Sequence, residues 1–186
     1  MNQKIRWITE TAAMLALLLA FQWLGGNIAE PMTRQIVTGS LVNCVLAVSV
    51  LYIGYASGIS ISLISPIFAF MLGINQNPLA IGPIMVGNMC FVVLLRLICG
   101  RQGKPFWKQI VAWLTAAVTK YGVMHALAVW LMCDLLGPFL TSAGVMTPKL
   151  NKQLLTAFDY PQLIAALIGG ALALSIWPVL RKALKR

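Results

Sequence analysis

The residue with the largest chemical consequence is Lys120, which stands inside the long apolar stretch from Trp107 to Leu136. Counted from Lys108 at 1.5 Å per residue, it lies about 18 Å along a helix, near the middle of a bilayer core about 30 Å thick. An ammonium at that depth costs at least about 2.5–3.5 kcal/mol on insertion scales. It marks a functional site unless it snorkels or is hydrogen-bonded to carbonyls. The acids of the chain do not answer it. Glu10 follows Arg6 by one helical turn and pairs with it, Asp134 lies about 21 Å further along the same helix, and Asp159 belongs to a connection. A buried cation without a counter-ion is expensive, so either Lys120 is neutral or something else supplies negative charge. In the second case a ligand carboxylate, phosphate or carbonyl is expected.

Other polar residues fall in or above the same layer. Asn88 lies about 14 Å down the fourth apolar run and Asn43 about 10 Å into the second, both counted from the outer end. Asn88 is a candidate ligand contact or an interhelical hydrogen bond worth about 0.6–2 kcal/mol, and Asn43 reads as the latter. Tyr121 and His125 stand one turn apart in the outer half of the Lys120 helix, as substrate contacts or as ordinary hydrogen-bonded residues. Trp130, Tyr160 and Gln162 lie toward the outer surface, where an aromatic belt already accounts for the rings. The turn Asn75-Gln76-Asn77-Pro78 either covers a pocket or is merely solvated. The substrate-binding candidates are thus Lys120, Asn88, Tyr121, His125, Gln162, Asn75 and Gln76.

Several chemistries lack their residues. There is no GxxxxGK[ST] phosphate loop, and the run from Gly100 to Lys104 has neither its spacing nor its hydroxyl, so an ATP-driven process needs a partner's ATPase. No HExxH and no Ser–His pair in a protease context occur. Cys44, Cys90, Cys99 and Cys133 form no CxxC pair and read as small buried hydrophobes. No metal, cofactor or catalytic activity is expected.

The elements that must position these residues are membrane helices. Of 186 residues 60% are apolar and only 10% charged, with mean hydropathy +0.85, against about 45–50% and about 25% in an ordinary soluble domain. Six apolar runs fall at about 7–24, 36–54, 59–72, 79–99, 107–136 and 160–180, the third short and carrying Pro66. The expected fold is an all-α membrane protein, one bundle of six transmembrane helices forming a single domain. The stretch from Gly137 to Asp159, rich in Gly, Pro, Ser and Thr, reads as a loop. The net charge of +10 would suggest nucleic acid on a soluble protein, but no basic stripe with interleaved aromatics is present. Instead Lys4, Arg6, Arg96, Arg101, Lys104, Lys108, Arg181, Lys182, Lys185 and Arg186 share one side if both termini are cytoplasmic, leaving Arg34, Lys149 and Lys152 on the other. The basic stub and apolar run at the N-terminus look like a signal peptide, but the run is long and lacks a cleavage site, so it reads as a retained helix.

Ala12, Ala16 and Ala20 recur every four residues on the first helix, a smooth stripe suited either to internal packing or to docking another membrane subunit. Gly169-Gly170 in the sixth run either opens room beside Lys120 or permits a tight helix contact.

With this stripe, the basic stub and six short helices, the chain resembles the substrate-binding S-components of energy-coupling factor (ECF) transporters. TETAAMLA (Thr9 to Ala16), VTGSLVN (Val37 to Asn43) and YPQLIAALIGG (Tyr160 to Gly170) are similar to stretches of that family, and the likeness spans nearly the whole chain. The resemblance implies a high-affinity binding subunit for a vitamin or related micronutrient, multi-pass in the cytoplasmic membrane of a prokaryote. It implies a pocket built mainly by the last three helices and the outer loops. It also implies a transmembrane coupling subunit docked on the first three helices, with Ala12, Ala16 and Ala20 in the docking stripe, and two cytoplasmic ATPases. In the family, transport involves toppling of the S-component in the membrane. No riboflavin, thiamine, biotin or folate signature stands out.

Two other readings use the same residues. One is a self-sufficient carrier driven by an ion gradient, alone or as a homodimer, although such carriers usually show two related halves. The other is an intramembrane enzyme or assembly factor with Lys120 or His125 as base, for which no partner stands within reach.

Overall fold

The computed structural model describes residues 3–100 and 105–183, and among them every regular element is a helix. The long helices are α1 (Gln3–Gly25), α2 (Pro31–Tyr52), α3 (Tyr55–Met71), α4 (Ile81–Cys99), α5 (Phe106–His125) and α8 (Pro161–Ala183), with the short α6 (Gly137–Ser142) and α7 (Pro148–Ala157) between α5 and α8. Five segments are long and apolar enough to cross a membrane: Gln3–Gly25, Pro31–Tyr52, Pro78–Cys99, Phe106–Leu135 and Pro161–Leu180. The chain is an all-α, multi-pass membrane protein. α3 is apolar but has only 17 residues. It begins at Tyr55 rather than near residue 59, because Gly54, at φ +135°, makes the tight link from α2 in a backbone region that side-chain-bearing residues avoid.

Helix starts follow from local chemistry. Glu30 caps α2, accepting from Met32 N at 2.9 Å and from Thr33 N, with Pro31 in the first turn. These bonds, those from Thr33 foremost, hold the Glu30 carboxyl below the usual carboxylate range. Asn77 caps the single 3₁₀ turn (Pro78–Ala80) that leads into α4, and Thr147 caps α7.

Two sequence expectations are corrected. The span from Trp107 to Leu136 is not one α-helix. Past His125 the backbone widens into a ten-residue π segment, Ala126–Leu135, ending with Leu136 N bonded to Leu131 O at 2.9 Å. The rise and turn per residue change there, so the distance to Asp134 counted at α-helical rise does not hold, and Asp134 is exposed. The stretch from Gly137 to Asp159 is not a plain loop, since α6 and α7 occupy much of it. Proline just inside a helix start is compatible with the helix, and Pro138 and Pro148 both stand there.

α2 is the central helix: every residue from Val42 to Leu51 is buried. It lies along α8, while α4 lies along α5. Glycines set these approaches. A Cβ on Gly169 would come within 2.4 Å of Ser40 O and 2.6 Å of Asn43 Cβ, and one on Gly170 within 2.0 Å of the Trp113 ring. Gly169-Gly170 therefore serves tight helix contact. α1 is peripheral, burying only Leu18 and Gly25. Of the ten basic residues assigned to one side by sequence, Arg101, Lys104, Lys185 and Arg186 lie outside the described residues.

Candidate functional site

Lys120 is 3% exposed and faces the interior of the bundle. Its Nζ donates to Asn88 Oδ1 on α4 at 2.7 Å and to Asn43 Oδ1 on α2. The Phe91 ring centroid stands 5.6 Å from the same nitrogen. No carboxylate is among these partners: both are amide carbonyl oxygens, the arrangement that a purely structural lysine would also have. Three helices thus converge on one ammonium, and neighbouring small residues allow it. Gly87, beside Asn88, carries no Cβ where Met124 packs, so α4 closes on α5 to hydrogen-bonding distance. Gly169 brings α8 against α2 at the level of Asn43. Ala116 and Ala117, fully buried about one turn before Lys120, keep that side of α5 thin.

In its ammonium form Lys120 is solvated by neutral dipoles alone. Each hydrogen bond to a charged group contributes about 1.5–3 kcal/mol, and the ring face adds a cation–π attraction. Full neutralisation is absent. Asn43 is 1% exposed and its Nδ2 has no hydrogen-bond partner. The cluster therefore combines a cation with a buried, unpartnered N–H donor, an arrangement that suits an oxygen anion. It holds no acid–base pair.

The other candidates form an outer layer. The His125 ring nitrogen Nδ1 is 3.1 Å from the carbonyl oxygen of Phe158, a bond that requires Nδ1 to carry the proton. The Tyr121 and His125 ring centroids are 5.7 Å apart. Asn75 Oδ1 accepts from Asn77 N at 3.1 Å, and Asn77 Nδ2 donates to Leu150 O at 3.3 Å, tying the turn before α4 to α7. Gln35 Nε2 donates to Ala157 O. Met146, Leu154 and Phe158 pack with Met124 and Ala128 beneath this cover. Gln76 is exposed and Gln162 half-buried at the start of α8. Met124, 1% exposed and one turn outward from Lys120, lies between the two layers.

Lys120 and Asn88 are thus brought together, as are Tyr121 and His125, while among the described residues no hydrogen bond joins the side chains of Asn75, Gln76 or Gln162 to either pair. Two residues escaped the sequence-derived set. Asn43 was read as an interhelical hydrogen bond, which it makes, but its partner is Lys120 itself. Phe91 carries no signal of its own in an apolar run; its position three residues after Asn88, on the same helical face, was the available clue. The second helix therefore contributes to a site that the family resemblance assigns mainly to the last three.

Glu10 accepts from Arg6 Nε at 2.8 Å, as its spacing suggested. Ala12, Ala16 and Ala20 are all exposed, so the stripe faces away from the bundle and internal packing does not explain it. Among the described residues no group of three His, Cys, Asp or Glu side chains is placed to hold a metal ion. Compared with family models, curated proteins and solved structures, the chain finds no match in any of the three.

Proposed function

We propose that this chain is the membrane-embedded binding subunit for uptake of a vitamin or related micronutrient, an S-component that works with a transmembrane coupling subunit and two ATPases in a prokaryotic cytoplasmic membrane. The observation that carries the reading is the interior cation: Lys120 Nζ is held by Asn43 and Asn88 and by no acid. A carrier driven by protons would use a chain of titratable groups through the bundle, and the side chains around Lys120 are amides and a phenyl ring. An enzyme would pair its base within hydrogen-bond reach of an acid or nucleophile. The cluster instead suits a receptor for one anionic or carbonyl-bearing molecule.

In this reading α3 is the sixth span and both termini are cytoplasmic. The ligand enters past the outer cover, where Asn75, Gln76 and Gln162 stand at the mouth and Tyr121 and His125 line the path. Its carboxylate, phosphate or carbonyl oxygen then takes Lys120, with Asn88 and the unpartnered Asn43 amide beside it. The outward alanine stripe of α1 supports a docked helix. ATP hydrolysis in the partner would topple the bound subunit and carry the ligand inward.

The test is co-purification. Affinity-tagged chain extracted from its own membranes is expected to bring down a larger membrane subunit and two ATPases, and to yield one small molecule, chemically unchanged, by mass spectrometry. Uptake into vesicles by the chain alone would favour the ion-driven carrier, and turnover of an added compound by the purified chain would favour the enzyme.

A further inference from the structure

A cavity of about 500 Å³ lies at the other end of the bundle, lined by Ile53, Gly54, Tyr55, Arg96, Leu97 and Gly100. All six residues belong to helix ends: the link after α2, the first residue of α3, and the last turn of α4 with its cap. Because α2 and α4 are spans, their shared end places the cavity at the depth where hydrocarbon meets head groups, whichever side that end faces.

The lining is amphipathic. Among the described residues Arg96 is the one charged side chain of the lining, and its Nη1 donates to Leu51 O at 3.2 Å, which anchors the guanidinium at the end of α2. Ile53 and Leu97 supply an apolar wall, and Leu97, 61% exposed, opens it toward the hydrocarbon. A Cβ on Gly54 would meet nothing within 4 Å, so the backbone there borders open space. Tyr55, 38% exposed, stands at the rim where a phenol sits well between oil and water.

We infer that this cavity is a binding site for the phosphate of an anionic phospholipid. The planar guanidinium fork matches phosphate oxygens, and basic pockets between membrane helices bind lipid head groups. The same chemistry would accept free phosphate. The lateral opening past Leu97, with apolar wall for an acyl chain, favours the lipid. The inference is independent of the uptake function, since it uses none of the Lys120 residues.

The experiment is native mass spectrometry of the purified chain in detergent, titrated with phosphatidylglycerol, with phosphatidylcholine, and separately with inorganic phosphate while thermal stability is followed. Wild type is expected to retain one phosphatidylglycerol about fivefold over phosphatidylcholine, the scale of one arginine near a lipid surface. Arg96→Gln abolishes the preference and Arg96→Lys keeps part of it. Lys108→Gln, which removes a cation stacked on Trp107 outside the cavity lining, leaves it intact. Equal retention of the two lipids by wild type, or an undiminished preference in Arg96→Gln, overturns the site. Stabilisation by inorganic phosphate with no gain from phosphatidylglycerol overturns the lipid assignment. If Arg96→Gln does not fold, the wild-type comparison of the three probes still decides.

Discussion

Lys120 Nζ lies 2.7 Å from Asn88 Oδ1 although 32 residues separate them in the chain. The bond crosses from α5 to α4 at the level where Asn43 arrives from α2, so one side chain ties three helices together inside the membrane. That role makes the two partners unequal. Removing the cation leaves two neutral oxygens unpaired, whereas removing an asparagine leaves a buried cation short of its ligand.

Lys120→Met is expected to have a small net effect on stability. It strands the oxygens of Asn43 and Asn88, at about 1–3 kcal/mol each, but relieves the cost of a mid-membrane cation, about 2.5–3.5 kcal/mol. Asn88→Leu has no such offset and should destabilise by about 1.5–3 kcal/mol, the contribution of a hydrogen bond to a charged group. Thermal melts in one detergent compare them. A Lys120→Met loss exceeding that of Asn88→Leu would contradict this ordering.

Gly169→Ala and Gly122→Ala should separate tight contact from open surface. The added methyl meets Ser40 O at 2.4 Å in the first case and nothing within 4 Å in the second. Overpacking of this kind costs about 1–3 kcal/mol, while alanine for glycine in an open helix gains up to about 1 kcal/mol. The melting temperature should fall for Gly169→Ala and hold or rise for Gly122→Ala.

Glu30 gives a pH dependence of known sign. Its folded pKa is depressed, chiefly by the bonds from Thr33. The stabilisation from capping α2 is therefore complete above the ordinary glutamate pKa and disappears as pH falls through the lower folded value. Stability of wild type and Glu30→Gln, followed from neutral to strongly acidic pH, should differ at the neutral end and converge in acid. A constant gap across that range would remove Glu30 as its source.

Ala16→Trp tests the outward stripe. Ala16 is exposed and contributes nothing to the bundle core, so melting and ligand binding should match wild type while recovery of the coupling subunit drops at least tenfold in a pull-down. Unchanged recovery would place any docking face elsewhere.

Depth counting, from Lys108 for Lys120 and from the outer end of the fourth run for Asn88, brought the two near one layer from the sequence alone, because helix rise is fixed. Helix starts at Pro31 and Tyr55 were less legible, since apolar periodicity does not register a carboxylate cap or a glycine link. The π segment after His125 was invisible: widening to an i to i+5 ladder leaves no mark in residues as ordinary as ALAVWLMCDL. α7 was hidden by its composition, for PKLNKQLLTA is polar on most of its surface and buries Leu154 alone. Asn43 was found but assigned to packing, because depth along a run does not fix the rotation of α2 about its axis, which aims Asn43 at Lys120.

The most direct measurement is the molar ratio of bound small molecule to protein, by mass spectrometry, in matched preparations of wild type, Lys120→Arg and Lys120→Met that melt alike. The account predicts a ratio near one for wild type, a reduced ratio for Lys120→Arg, and at least a tenfold loss for Lys120→Met. Equal occupancy in wild type and Lys120→Met would contradict a ligand-binding role for the buried ammonium and leave Lys120 as a structural tie among α2, α4 and α5.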